Sequence, residues 1–307
     1  MIADRVFALG TGWLRFTLAA VTVLEVIQNS TEYLARKGVD SPRLQGELLL
    51  AKVLNLPRLQ LYLNFQRLLT AEELDTAREW VKRRGRREPL QHILGSSSFC
   101  GLEIEVDRTV LIPRPETESL AEHAWQWLNR IAETNEAPPA VLDWGTGSGC
   151  LAVAIAANCA RARVQAVEVS AEALEVARRN AERNRVGDRI QFWRGDGFHA
   201  LPGGATFDLI VSNPPYLAHD ALATLEPEVR DYDPSLALDG GADGLEFYRC
   251  LAGEAPAFLR PGGRLMIEFG DDQAEQVTGL FGATPWQVKA LQADLNGKPR
   301  ILVASSR

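Results

Sequence analysis

Val141-Leu142-Asp143-Trp144-Gly145-Thr146-Gly147-Ser148-Gly149 decides how this 307-residue chain folds. The apolar start, Ala140 to Trp144, reads as a strand, and Leu151 to Asn158 reads as the helix that follows. The glycines between them let the backbone turn sharply from one into the other. Downstream the alternation repeats: Arg163 to Val169, Ala171 to Asn184, Ile190 to Arg194 and Phe207 to Ser212, then a helix near Leu245 to Leu259 and a strand from Gly263 to Phe269. Strands and helices in that rhythm predict a parallel sheet covered by helices on both faces, an α/β fold.

Upstream the pattern changes. Residues 20 to about 95 read as helices, with Val23, Leu24, Ile27, Thr31 and Leu34 at helical spacing. Ser41-Pro42 is expected to cap one helix, with proline at its first position. Thr70-Ala71-Glu72-Glu73 is a capping box for another, which ends in the basic run Lys82 to Arg87. That run suits a solvated helix end near the negative pole of the dipole, or contact with an RNA or acidic partner. From Phe99 to Ile112 short alternating pieces suggest a hairpin, and Thr117 to about Ala132 another helix. Three segments are therefore expected: 1–95 helical, 96–116 a hairpin linker, and 117–307 the α/β domain. The apolar stretch Phe16 to Leu24 is too short to span a bilayer and reads as a leading helix or extension.

A net charge of −7 argues against a broad footprint for duplex nucleic acid, so no direct DNA binding is expected. The four cysteines (Cys100, Cys150, Cys159, Cys250) lack CxxC spacing and no histidine pattern accompanies them. Reduced thiols, a cytoplasmic setting and no metal site are the expectation. No membrane association is expected, and the chain is read as a monomer.

The glycine loop points to a ligand. The dinucleotide fingerprint would need glycine at position 150, which is Cys150; here the glycines fall as GxGxG after Asp143. That form suits a ligand with an amino-acid head group in place of a pyrophosphate. Asp143, Gly145, Thr146, Gly147, Ser148 and Gly149 are the candidate contacts. Glu168 ends the next strand, where a carboxylate can take both hydroxyls of a ribose. Asp196, in Gly195-Asp196-Gly197-Phe198, follows the third strand and can accept from an adenine amino group, with Phe198 near the ring. All of these lie at carboxyl ends of successive strands, which in an open sheet line one crevice. The ligand they describe is S-adenosylmethionine.

Asn213-Pro214-Pro215-Tyr216 follows the fourth strand and says what receives the methyl group. An amide or exocyclic amino nitrogen is planar and weakly nucleophilic. It needs acceptors that hold its two N–H bonds and aim its remaining lobe. The Asn213 side-chain oxygen can accept one and the Pro214 carbonyl the other. Two successive prolines fix the backbone there and remove its donors. Tyr216 supplies a flat face for a planar group.

Taken alone, these motifs match adenine-N6, guanine-N2 and protein-glutamine methyltransferases. Further segments resemble one family. Leu111-Ile112-Pro113-Arg114-Pro115-Glu116-Thr117-Glu118 is similar to a signature of the HemK/PrmC family, which methylates the glutamine of the Gly-Gly-Gln motif in peptide chain release factors. Arg86 to Gly95 resembles its junction between domains, and Val229 to Pro234 with Leu236 to Gly241 and Asp243 to Leu245 resembles the segment after its catalytic motif. The resemblance runs from about residue 21 to the end. It implies a helical N-terminal domain that engages the release factor and a seven-stranded class I (Rossmann-like) methyltransferase domain. It also implies that Asn213, Pro214, Pro215, Tyr216 and Arg114 lie on the substrate side. Four positions depart from the family. Trp144 stands where a smaller aliphatic is common, and Gly197 where some members carry a large aromatic, which leaves the adenine contact to Phe198. Gln45-Gly46 replaces an acidic-alanine pair. The rival readings are an RNA or DNA amino-group methyltransferase and a non-catalytic methyltransferase-like binding subunit. The first would favour a basic chain or an added target-reading module, and the second a broken glycine loop or a replaced Asn213.

Overall fold

The computed structural model describes residues 21–294 and 297–306. The leading extension read over Phe16 to Leu24 thus falls mostly outside the described residues. The chain divides into two compact units, Met1–Leu94 and Gly95–Arg307.

The first unit is helical: α1 (Val23–Arg36), α2 (Pro42–Val53), α3 (Arg58–Leu63), α4 (Ala71–Gly85) and α5 (Leu90–Leu94). Capping boxes start α1 and α4, Thr22 with Glu25 and Thr70 with Glu73, each satisfying two backbone donors that a helix start leaves open. Ser41 does not cap α2 with its side chain. It takes a left-handed conformation (φ 46°), whereas a capping oxygen needs an extended one. The six-residue α3 is too short for periodicity to reveal. The basic run is partly spent inside the unit. Arg83 forks onto Glu88 at 2.9 and 2.7 Å, and buried Arg84 donates to the Gln45 side chain and to the Glu88 carbonyl.

The second unit opens with a hairpin, β1 (Ser96–Phe99) and β2 (Leu102–Glu105). Cys100 and Gly101 form its two-residue turn, both at positive φ, the geometry that matches strand twist. The hairpin begins three residues before the expected Phe99, in a serine run with no apolar alternation to announce it. Phe99 and Ile104 are fully buried in the core of this unit. Next come α6 (Pro115–Thr134), β3 (Ala140–Trp144), α7 (Cys150–Asn158), β4 (Arg163–Glu168), α8 (Ala171–Arg183), β5 (Ile190–Arg194) and β6 (Phe207–Ser212). Then follow α9 (Pro227–Arg230), α10 (Glu246–Glu254), β7 (Leu259–Glu268), α11 (Ala274–Leu280), β8 (Trp286–Ala293) and β9 (Pro299–Ser306). The helix expected to reach Leu259 stops at Glu254 and tightens into a 3₁₀ turn, because Pro256 has no N–H to continue the ladder.

The seven strands lie in the order β5-β4-β3-β6-β7-β9-β8. Six of these seven strands point the same way and β9 runs antiparallel to both β7 and β8, so the sheet is parallel, as the alternation predicts, except at β9. Neighbouring residues on a strand face opposite sides. Val141, Leu209 and Met266 pack with α6 and α7 on one face, while Leu142, Ile210 and Leu265 pack with α10 and α11 on the other. Both faces are buried, which is why these strands read as continuous apolar runs. The chain winds outward through β3, β4 and β5, then returns to place β6 on the other side of β3. That reversal opens a crevice at the carboxyl ends of β3 and β6.

Candidate active site

A cavity of about 380 Å³ fills that crevice. Its wall takes residues from every strand end the sequence singled out: Gly145 to Ser148 after β3, Glu168 ending β4, Asp196 and Gly197 after β5, and Asn213 and Pro215 after β6. Arg114 lines it as well.

The loop is shaped from below. Asp143 is fully buried, and its Oδ2 accepts from the Thr146 hydroxyl and from the Ala152 N–H at 3.1 Å. This carboxyl therefore ties the loop to the first turn of α7 and does not reach the cavity wall, unlike the contact expected of it. Burial pushes it up to about 7, against the two hydrogen bonds that favour its charged form. Gly145, Gly147 and Gly149 all take positive φ. Gly149 is also sterically required, since a Cβ there would lie 3.0 Å from the Ala177 Cβ of α8.

Glu168 closes the loop from the next strand. Its Oε2 accepts from the Gly147 N–H at 2.8 Å and its Oε1 from the Ser170 N–H at 2.9 Å. Each carboxylate oxygen has two lone pairs, so both retain capacity for a hydroxyl donor from the cavity. Trp144, Leu111, Val110 and Phe247 add an apolar wall, with Phe247 edge-on to the Trp144 indole at 5.8 Å. Carboxylates at one end and aromatic surface beside them suit a cationic sulfonium, a ribose and an adenine. The residues present fit S-adenosylmethionine.

Phe198 does not take the place expected for it. The left-handed turn at Gly197 (φ 49°) leads into a 3₁₀ turn that drops Phe198 into the core, where it stacks on Phe258 at 4.6 Å and tilts against Trp144 at 6.0 Å. Trp144 lines the cavity in its stead. Trp144 and Gly197 are linked, because a Cβ at Gly197 would come within 2.9 Å of the Trp144 Nε1. The large indole and the absent side chain are one packing solution.

On the other side of the crevice, Asn213 donates from Nδ2 to the Thr117 hydroxyl at 3.0 Å, which leaves its carboxamide oxygen for the cavity. Pro214 is buried and Pro215 lines the wall. Among the described residues, no backbone N–H takes up the Pro214 carbonyl. Tyr216 is not on the wall. Its ring packs towards Gly270, its carbonyl accepts from Gln273 at 2.9 Å, and burial raises its phenol pKa, keeping it neutral. Arg114 is committed to Asp233, with Nη2 to Oδ2 at 2.6 Å. That pair ties the start of α6 to the segment whose Pro234, Leu236 and Ala237 also line the cavity. Asp233 is nonetheless pushed up to about 6, because burial outweighs the arginine. Thr117, Phe247 and the Pro234–Ala237 segment were not singled out from sequence as cavity-lining residues. Thr117 stood in a quoted motif but read only as a helix start.

The switch-point crevice, glycine loop and strand-end carboxylate define an S-adenosylmethionine-dependent methyltransferase of the Rossmann-like class. A methyltransferase of Pyrococcus furiosus shares the fold, with a TM-score of 0.50 and 23% identity over 73% of this chain and 97% of that one. Residues 25–95 match the PrmC N-terminal domain and residues 127–227 the methyltransferase small domain. The chain is 47% identical over 281 residues to a release factor glutamine methyltransferase of Geobacter sulfurreducens, covering 92% of this chain and 95% of that one. It is 44% identical over 274 residues to one of Chlorobaculum tepidum, covering 88% and 93%. The protein belongs to the release factor glutamine methyltransferase family.

Proposed function

We propose that this protein transfers a methyl group from S-adenosylmethionine to the side-chain amide nitrogen of the glutamine in the Gly-Gly-Gln motif of peptide chain release factors. The observation that carries the reading is the held carboxamide of Asn213, with its nitrogen engaged by Thr117 and its oxygen left for a guest. It stands at the end of β6, one strand from the glycine loop at the end of β3.

The sulfonium methyl is activated before it binds, so the protein supplies position and electrostatics. Glu168 would hold the ribose hydroxyls, Asp196 the adenine amino group, and the Gly145–Ser148 backbone the methionine end. Asn213 Oδ1 and the Pro214 carbonyl would accept the two N–H bonds of the glutamine amide. Positive charge develops on that nitrogen as it attacks, so two acceptors stabilise the transition state more than the ground state. A glutamine between glycines can extend into a narrow crevice without side-chain clashes. The helical unit of residues 21–94 would dock the body of the release factor. The enzyme would work as a cytoplasmic monomer without direct DNA contact. Among the described residues no helix is long and apolar enough to cross a membrane.

Intact-mass spectrometry on a purified release factor incubated with the protein and S-adenosylmethionine tests this. One added methyl group, lost when the motif glutamine is changed to alanine, is the expected result. Methylation of a structured RNA in its place, or no transfer to either, would overturn it.

A further inference from the structure

Glu268 ends β7 beside the Asn213 turn. In the parallel register Ser212 pairs with Ile267, so Asn213 and Glu268 are the next residues along the two strands. Glu268 is only 3% exposed and does not line the cavity. Thr117, 2% exposed in the first turn of α6, accepts the Asn213 Nδ2 at its hydroxyl, and that hydroxyl favours the charged form of the nearby Glu268 carboxyl.

A hydroxyl has one proton to give. While it donates to a carboxylate, its oxygen can only accept from Asn213, and the Asn213 oxygen must then face the cavity. A protonated Glu268 permits the reverse order: Glu268 donates to Thr117, Thr117 donates to the Asn213 oxygen, and the Asn213 nitrogen turns outward. A nitrogen donor facing a substrate N–H repels the group it should hold. We propose that Thr117 and Glu268 are a positioning relay that sets the direction of the Asn213 carboxamide, and that only ionised Glu268 holds it in the productive sense. The inference rests on the reading that Asn213 receives the substrate amide.

The surroundings of Glu268 make it titrate in a useful range. Burial lifts its pKa to about 7, with Glu116 adding to the rise. Thr117, Arg300 from β9 and Arg114 pull the other way. Tyr216 and Tyr248 also face it, and the Tyr248 hydroxyl donates to its backbone carbonyl at 3.1 Å. Oε2 has no partner among the described residues, leaving an oxygen that can carry the proton.

The test compares the parent with Thr117→Val, Thr117→Ser, Glu268→Gln and Asn213→Ala on a release-factor substrate, with kcat and KM across pH and affinity for S-adenosylhomocysteine by calorimetry. Thr117→Val should lose on the order of tenfold or more in kcat, with KM and cofactor-product affinity moving far less, and Thr117→Ser should restore most of it. The parent kcat should rise as pH climbs through the ionisation of Glu268, and Glu268→Gln should lose that rise. Parental kcat in Thr117→Val, or an unchanged pH rise in Glu268→Gln, overturns the relay. Should Thr117→Val fail to fold, the pH profile of Glu268→Gln decides alone. Parental activity in Asn213→Ala would instead overturn the reading of Asn213 itself, whereas an inactive Asn213→Ala beside a parental Thr117→Val would overturn the relay only.

Discussion

The glycine loop after β3 and the Asn-Pro-Pro-Tyr turn after β6 sit on adjacent strands of one crevice, yet they are built by opposite means. The loop uses freedom: three glycines at positive φ bring backbone to the ligand, and Asp143 pins them from below. The turn uses restriction: two prolines freeze the backbone so that one side chain and one carbonyl are presented. Each is backed by a buried carboxyl pushed up to about 7, Asp143 under the loop and Glu268 behind the turn. The difference teaches what each half must control. A cofactor with many polar atoms is held by shaping a surface, whereas a nitrogen with two N–H bonds is held by fixing the direction of two acceptors.

The comparison breaks most sharply at Asn213. Asn213→Ala should lower single-turnover methylation by on the order of 10²–10³-fold, as loss of one oriented transition-state partner does elsewhere. Cofactor-product affinity should stay near the parent, and a matching loss of affinity would mean the two halves are not separable. Asp143→Ala leaves the Thr146 hydroxyl and the Ala152 N–H without their acceptor, and should cost about 2–4 kcal/mol in urea unfolding. Parental stability there would deny the loop its support.

Acidity sharpens the contrast. Asp143 moves from 3.8 to about 7, Glu268 from 4.5 to about 7 and Asp233 from 3.8 to about 6 on folding. Each binds its proton more readily folded than unfolded. Their contribution to stability is therefore full below about pH 4 and is lost as pH rises to 7. Glu268→Gln carries no buried charge at high pH, so its stability relative to the parent should improve by on the order of 1–3 kcal/mol from pH 5 to pH 8, read from urea midpoints. A variant more stable yet slower is what a residue kept for direction predicts. Glu168→Ala should weaken S-adenosylhomocysteine binding about tenfold, roughly the worth of a charge-assisted hydrogen bond, and equal affinity by calorimetry would remove the ribose assignment. Smallest of all, Gly197→Ala should cost about 1 kcal/mol for its left-handed backbone, and more if the Trp144 indole cannot give way.

Much of this was written locally. The loop after β3, Glu168 and Asn213 stood out because each combines a strand end with a residue type whose chemistry is specific, and Trp144 to Ser148, Glu168 and Asn213 line the cavity. Phe198 was misplaced because a positive φ one residue earlier reverses where its side chain points, and single-sequence reading does not see that angle. Asp143 and Tyr216 carry the expected residue types but face protein, a matter of which side of a strand or turn is covered. Glu268 was not singled out because an isolated glutamate at a strand end carries no local signal.

The sequence by itself determined the α/β alternation, the cofactor class and the planar-nitrogen turn, since periodicity, glycine spacing and successive prolines act over a few residues. Only the tertiary structure decided the reversed β9, the packing of the Trp144 indole against Gly197, and the meeting of Thr117, Asn213 and Glu268. Those residues lie 96 positions apart on one side of Asn213 and 55 on the other, and what joins them is strand register and helix packing. Hydrogen-bond direction at the site is a property of that junction, which no stretch of chain contains.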